Sequence, residues 1–201
     1  LEQFVEHNFK SIIIGVGLAA VAAVGVGISR YYSHQAEVEA AQQFTSATTI
    51  EDCDKVVAHN AGSVAAGNAL ILKSQLQWEA GKKESSVETL KTFVKDYSGH
   101  PLLAQVQLGR ATKQDSLGDK AGAKQTLEGI VKNNANTEAA PAAQLRLGDL
   151  AWADGKMEDA KKTFDGIAKS YPGKMDPFMD QIRQRTEIMA AGLPTKEVDG
   201  P

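Results

Sequence analysis

A ten-residue segment of this chain recurs after 37 positions. Ala-Lys-Gln-Thr-Leu-Glu-Gly-Ile-Val-Lys at residues 123–132 aligns with Ala-Lys-Lys-Thr-Phe-Asp-Gly-Ile-Ala-Lys at residues 160–169, and Gly81, Gly118 and Gly155 share the same spacing. A weaker copy precedes these two. Repeats of this size fold as stacked helix pairs, because one pair alone cannot bury its apolar face. The sequence therefore predicts an all-α fold with a helical solenoid of about three degenerate repeats.

The third copy, residues 141–174, resembles a tetratricopeptide repeat, which is a helix-turn-helix unit of about 34 residues. The positions that match this pattern are Leu147, Gly148, Gly155, Ala160, Phe164 and Pro172. The middle copy keeps the pair Leu108–Gly109 and the small residue Ala123, an alignment that predicts a turn about two residues longer. In the first copy, Ser86 stands where alanine is usual.

Residues 11–29 predict a transmembrane helix, because none of them is charged. About 18 helical residues span roughly 27 Å, enough to cross the hydrocarbon core of a bilayer. A cleaved signal peptide is the alternative, but Arg30, Tyr31 and Tyr32 follow the segment where a small-residue cleavage site would be needed. Lys10 and Arg30 balance across the segment, so the flanking charges do not indicate its orientation.

Small residues occupy every fourth position of this segment. Gly15, Ala19, Ala23 and Gly27 would form one stripe along a helix, a surface that another helix can approach closely in lipid. We therefore expect a helix contact through this stripe, with either a second copy of the chain or another membrane protein. The alternative is that glycine and alanine are simply common in membrane spans.

The remaining segments are assigned from helix-start signals and from the repeats. We expect a flank at residues 1–10, connecting helices at 30–60, repeats at 61–174, and a capping helix with a tail at 175–201. Thr49 followed by Asp52 indicates one helix start, and Asp176 before a proline indicates another. The helix that starts at Asp176 should cover the last repeat with Met179, Ile182 and Met189.

No feature of the chain predicts catalysis, a metal site or a cofactor. The histidines share no metal-ligand spacing with one another or with Cys53, whose acidic neighbours disfavour a thiolate. These histidines are His7, His34, His59 and His100. The formal net charge of −3 and the lack of a basic cluster argue against a nucleic-acid partner.

A solenoid of helix pairs offers a concave groove built from the first helix of each pair. Counted from the turn glycines, Trp78 and Trp152 occupy equivalent positions in that groove, and large aromatic side chains suit the anchoring of a peptide. The predicted partner-binding residues are Gln75, Trp78, Arg110, Lys113, Asp149 and Trp152. The alternative is that the two tryptophans pack between repeats.

The N-terminal part carries the most specific family signature. It consists of Glu-Gln-Phe-Val-Glu-His-Asn-Phe at residues 2–9, a Gly/Ala-rich span, and Ser-Arg-Tyr-Tyr-Ser-His-Gln at residues 29–35, followed by Ala40, Ala41 and Phe44. With the degenerate repeats, this arrangement resembles the YfgM family of ancillary SecYEG translocon subunits.

The resemblance implies a single-pass protein of the bacterial inner membrane, with a short cytoplasmic N-terminus and periplasmic repeats. It implies association with the Sec translocon and with periplasmic chaperones that receive emerging proteins, and it brings no catalytic residue. The expected function is an accessory subunit of protein export. The alternative is a structural or assembly subunit of another large membrane complex, such as a respiratory, photosynthetic or envelope complex. A third possibility is homodimerisation through the small-residue stripe.

Overall fold

The computed structural model of the protein describes residues 24–26, 28, 30–171 and 176–193. All regular secondary structure in these residues is helical, which confirms the predicted all-α class for this part of the chain. The helices are α1 (30–45), α2 (Ile50–His59), α3 (Val64–Glu79), α4 (Lys83–Asp96), α5 (Leu103–Ser116), α6 (Lys120–Asn133), α7 (Ala139–Ala153), α8 (Met157–Ser170) and α9 (Asp176–Ala190).

The helices stack in chain order as three helix-turn-helix pairs. These pairs are α3–α4, α5–α6 and α7–α8, and each packs on the next through its second helix. Helix α2 packs against α3 at one end, and α9 packs against α7 and α8 at the other. Contacts between successive units are the expected pattern of a solenoid, so the prediction of tetratricopeptide-like repeats is confirmed.

Each pair turns on a glycine with positive φ. Gly81, Gly118 and Gly155 have φ values of 75°, 79° and 77°, a region that residues with a Cβ rarely adopt. The amide of the following residue donates to a carbonyl five residues back, as Lys82 does to Gln77 at 2.8 Å. This bond closes a Schellman motif, which ends the first helix of each pair.

The three turns have the same length, so the longer turn predicted for the middle repeat is wrong. The alignment of Leu108–Gly109 with Leu147–Gly148 caused this error. In the structure Ala111, not Gly109, is buried at the position 37 residues before Gly148. Gly109 is exposed, and a side chain there would meet open space.

Buried core residues recur with the 37-residue period. Leu90, Leu127 and Phe164 fill equivalent buried positions on the second helices of the three pairs. Small residues also recur with this period at buried positions on both helices of each pair, where bulky side chains would hold the helices apart. These small pairs are Ser74 with Ser86, Ala111 with Ala123, and Gly148 with Ala160.

A buried polar contact repeats with the same period in two of the three pairs. The hydroxyl of Thr89 donates to Oε1 of Gln77 at 2.7 Å, and Thr126 donates to Gln114 at 2.8 Å. In the third pair the equivalent of Gln114 is Ala151, so this bond is absent there. The repeats therefore share their backbone geometry but differ in the buried hydrogen bonds between their helices.

The connecting helices join the repeats through α3. Helix α1 buries Ala40 completely, and Phe44 packs on the cluster formed by α2 and α3. Both carboxylate oxygens of Glu37 lie 3.3–3.4 Å from the backbone amide of Val64, the first residue of α3. Thr49 and Asp52 form a capping box at the start of α2, as their spacing predicts.

The C-terminal helix begins at Asp176, as predicted, and covers the last repeat. Phe178, Ile182 and Met189 pack against the core of that repeat. Met179, which was expected to do so, is 48% exposed.

The predicted membrane span at residues 11–29 lies outside the described residues, apart from residues 24–26 and 28. The stripe residues Gly15, Ala19, Ala23 and Gly27 all lie outside them as well. Within the described residues, no helix combines the length and the apolar character needed to cross a membrane.

Candidate interaction surface

The six predicted groove residues fall into two groups with different surroundings. Gln75 and Trp78 lie on α3, and Trp78 contacts Lys113 of α5, the helix that also carries Arg110. Asp149 and Trp152 lie on α7, beneath α9.

Trp78 is half-buried, and two lysines contact its ring. The ammonium of Lys113 lies 4.2 Å from the ring centroid and that of Lys83 lies 5.3 Å from it, both within cation–π range. Gln75 is exposed and donates to Glu79 at 2.8 Å. Lys83 was not predicted from the sequence, although its place two residues after Gly81 brings the start of α4 back toward Trp78.

Arg110 lies partly buried on α5, three residues before Lys113. Its Nη2 donates to the hydroxyl of Thr126 at 3.2 Å, and burial lowers the pKa of the guanidinium, an effect that Glu88 and Asp119 oppose. Burial also lowers the pKa of Lys113, and Glu79 opposes that shift. We call Trp78, Lys83, Arg110 and Lys113 the Trp78 surface.

In the Trp78 surface, cationic residues stand at positions where the next repeat junction has leucines. Arg110 and Lys113 occupy the positions equivalent to Leu147 and Leu150, which pack into the apolar core between the second and third repeats. The junction between the first and second repeats is apolar only near the start of α5, where Val106 is buried. Its far end carries charge in place of packed leucine.

Two buried polar atoms mark the same face of α5. The Nε of Arg110 and the Oε1 of Gln107 have no hydrogen-bond partner within the described residues. Buried polar groups are nearly always paired, since an unmade hydrogen bond costs about 1–3 kcal/mol. The described part of the chain therefore does not supply a hydrogen-bond partner for every buried polar atom at this junction.

The equivalent face of the third repeat is closed. Trp152 is 6% exposed and belongs to the core cluster that Ile182 and Met189 of α9 cover. Arg185 of α9 forms an ion pair with Asp149. The placement of Trp152 in an open groove is therefore corrected: it is a core residue, because α9 packs over the last repeat.

The described residues contain no group of three or more histidine, cysteine, aspartate or glutamate side chains that could hold a metal ion. Cys53 is fully buried, and burial raises the pKa of its thiol, with Asp54 and Asp52 adding to the shift. A buried thiol with a raised pKa is a poor nucleophile.

Comparison with known proteins assigns the family of this chain. No curated protein and no solved structure matches the chain. A family model described as the tetratricopeptide repeat-like domain matches residues 2–176, which include all three helix pairs. Domains of this kind are generally non-enzymatic and bind other proteins. The chain therefore belongs to the tetratricopeptide repeat-like domain family.

Proposed function

We propose that this protein is a membrane-anchored, non-enzymatic interaction subunit of the bacterial inner membrane. A span at residues 11–29 anchors it, the repeats stand in the periplasm, and the chain links the Sec translocon to periplasmic chaperones. The resemblance of residues 2–9 and 29–35 to ancillary translocon subunits supports this proposal. The family match also supports it, because the match begins at residue 2 and so includes the anchor segment.

The exposed side chains near the anchor support a membrane environment. Residues 24–26, 28 and 30–45 are helical, and the first four of these residues lie within the proposed span. Large apolar side chains on this stretch are more than half exposed: Val24, Val26, Ile28, Tyr31 and Tyr32. Several exposed apolar side chains on one short helical stretch favour contact with lipid or with another protein.

The Trp78 surface is the observation that carries the interaction role. It is partly open, whereas α9 covers the matching face of the third repeat. Partly buried aromatic and cationic side chains are the residue types that most often dominate binding energy at protein interfaces. We therefore assign partner binding to the junction of the first and second repeats, and lateral docking in the membrane to the Gly15–Gly27 stripe.

The test is purification of the tagged full-length protein from its native membrane in mild detergent, with partners identified by mass spectrometry. We expect translocon subunits and periplasmic chaperones. Replacing Ala19 and Ala23 with leucine should release the membrane partner, and Trp78→Ala should release the chaperone. Recovery of one unrelated complex at fixed stoichiometry would contradict the export role and indicate an assembly subunit instead.

A further inference from the structure

We infer that α9 is a displaceable lid, and that the face of α7 beneath it binds an amphipathic helix of a protein partner. The partner helix places a basic residue against Asp149 and apolar residues against the cluster that contains Trp152. This inference goes beyond the proposed function, because it adds a second binding surface and depends neither on the Trp78 surface nor on the identity of the membrane complex.

Helix α9 is less deeply buried than the other described helices. Each of α1 to α8 contains at least one residue that is 2% exposed or less, such as Phe93 on α4 and Phe164 on α8. None of residues 178–190 on α9 is buried, although apolar side chains of α9 pack against the last repeat. Segments with few buried apolar contacts open at low free-energy cost, and lids over binding sites belong to this class. We therefore expect α9 to open while the repeats stay folded.

The two ends of the repeat stack are closed in different ways. At the N-terminal end, α2 buries Cys53 and Val56 in a cluster with Ala69 of α3. At the C-terminal end, α9 contributes only partly buried side chains to the cluster of α7 and α8. A helix that serves solely to seal a core is expected to bury residues as α2 does, because burial of apolar area stabilises the contact. The shallow packing of α9 therefore favours a lid.

The face beneath α9 combines a large aromatic ring with a carboxylate. Asp149 and Trp152 lie three residues apart on α7, so they share one face of that helix. In the closed state Arg185 pairs with Asp149, and α9 covers the cluster that contains Trp152. Opening of α9 leaves this carboxylate without its cation and exposes the apolar cluster to water. The open face therefore favours a ligand that brings both a cation and apolar groups.

The sequence of α9 indicates the chemistry of that ligand. Three apolar residues and one arginine of α9 stand at positions i, i+4, i+7 and i+11, which is the spacing of a helix that binds in a groove. Phe178, Ile182 and Met189 pack against the core of the last repeat, and Arg185 binds Asp149. A partner helix with the same pattern makes the same contacts, so α9 acts as an internal copy of the ligand.

The test uses a labelled peptide with the sequence of residues 176–191 and measures its binding to the full chain in mild detergent by fluorescence anisotropy. The chain variant Arg185→Gln weakens the hold of α9 and leaves Asp149 free. We expect it to bind the peptide at least about tenfold more tightly than the parent chain does, because the cost of opening the lid is reduced. A peptide that itself carries Arg185→Gln should bind this variant about tenfold more weakly.

Two further chain variants serve as controls. Arg183→Gln removes the exposed pair with Asp180 on the same helix, and its peptide affinity should stay within about twofold of the parent value. Asp149→Asn opens the lid but also removes the carboxylate that the arginine of the peptide needs, so its peptide affinity should stay within about threefold of the parent value. Circular dichroism verifies that the helices of each variant remain folded.

Hydrogen exchange of the unaltered chain provides a second readout that needs no variant. The amides of α9 should exchange at least about tenfold faster than those of α7 and α8. Equal protection of the three helices would overturn the inference.

The binding outcomes also decide between occupants. Equal peptide affinities of the Arg185→Gln and Arg183→Gln chains would overturn the inference. An Arg185→Gln chain that forms dimers and excludes the peptide would overturn it as well, because the face would then belong to α9 of a second copy. These measurements involve only the chain and the peptide, so their failure leaves the proposed role in export standing.

Discussion

Asp149 and Arg185 form a two-point ion pair that fastens α9 to α7. The Nε and Nη2 atoms of Arg185 donate to the two carboxylate oxygens of Asp149 at 2.6 and 2.9 Å. The side chain of Arg185 is 11% exposed and that of Asp149 is 20% exposed. We expect Asp149→Asn to lower the free energy of unfolding by about 2 kcal/mol, because it leaves a mostly buried guanidinium without its counter-charge. Urea denaturation measures this loss.

An exposed pair on the same helix provides the control. Arg183 pairs with Asp180 at 2.8 Å, but both side chains are mostly exposed. Arg183→Gln should change the free energy of unfolding by less than about 0.5 kcal/mol. Equal losses for the two variants would mean that the Asp149–Arg185 pair does not hold α9 in place.

Gly148 and Gly109 should respond in opposite ways to alanine. A Cβ on Gly148 would overlap with the ring of Phe164, whereas one on Gly109 would meet no atom within 4 Å. Gly148→Ala should therefore destabilise the protein by about 2 kcal/mol through overpacking. Gly109→Ala should stabilise it by about 0.5–1 kcal/mol, since alanine favours the helix. Thermal unfolding compares the two, and a destabilising Gly109→Ala would contradict the corrected register of the middle repeat.

Ser74 and Ser86 should be strongly coupled. Their buried hydroxyl oxygens lie 2.8 Å apart, and the hydroxyl of Ser86 also donates to the carbonyl of Ser74. Each single change to alanine should cost about 1 kcal/mol, because the other hydroxyl loses a partner. The double variant should cost no more than one single change, since the second repeat has Ala111 and Ala123 at these positions. Additive losses in the double-mutant cycle would contradict this coupling.

Substitution of the two tryptophans should lower the free energy of unfolding by different amounts. Trp152→Ala removes a core side chain and should cost about 4 kcal/mol in the free energy of unfolding. Trp78→Ala should cost less, about 2 kcal/mol, since the ring is partly exposed and lies outside the apolar core of the last repeat. Urea denaturation measures both losses, and similar values would place both rings in the core.

Cys53 should stay unreactive until the protein unfolds. The thiol is fully buried, and burial raises its pKa above the reference value of 9.0. Because the folded pKa is higher than the unfolded one, the favourable contribution of the neutral thiol is complete below pH 9 and is lost as the pH rises through the folded value. Reaction with a disulfide reagent at pH 8 should follow the unfolding rate, and rapid labelling of the folded protein would disprove the burial.

The period and the positions of the turn glycines were predictable because they depend on local chemistry. A glycine with positive φ ends each first helix, and the spacing of Gly81, Gly118 and Gly155 appears directly in the sequence. The register of the middle repeat was not, because the pair Leu108–Gly109 mimics Leu147–Gly148 by identity alone. Only the burial of Ala111 in the core with Leu127, while Gly109 is exposed, shows that Ala111 is the equivalent residue.

The surroundings of each groove position could not be predicted from the sequence, for a different reason. Helical spacing places Trp78 and Trp152 at equivalent positions, but it does not say what packs over them. Helix α9 follows only the last repeat, so one ring is covered and the other is not. Lys83 was missed because its contact with Trp78 depends on the path of the turn and not on a helical period.

The identical turns have an evolutionary consequence. Because every pair reverses at the same point of a 37-residue unit, loss of residues 82–118 would join Gly81 directly to Asp119. Gln77 would then face Thr126 in place of Thr89 and keep the same type of hydrogen bond. The gene can therefore gain or lose whole units while its ends, one packed against α2 and one closed by α9, stay unchanged.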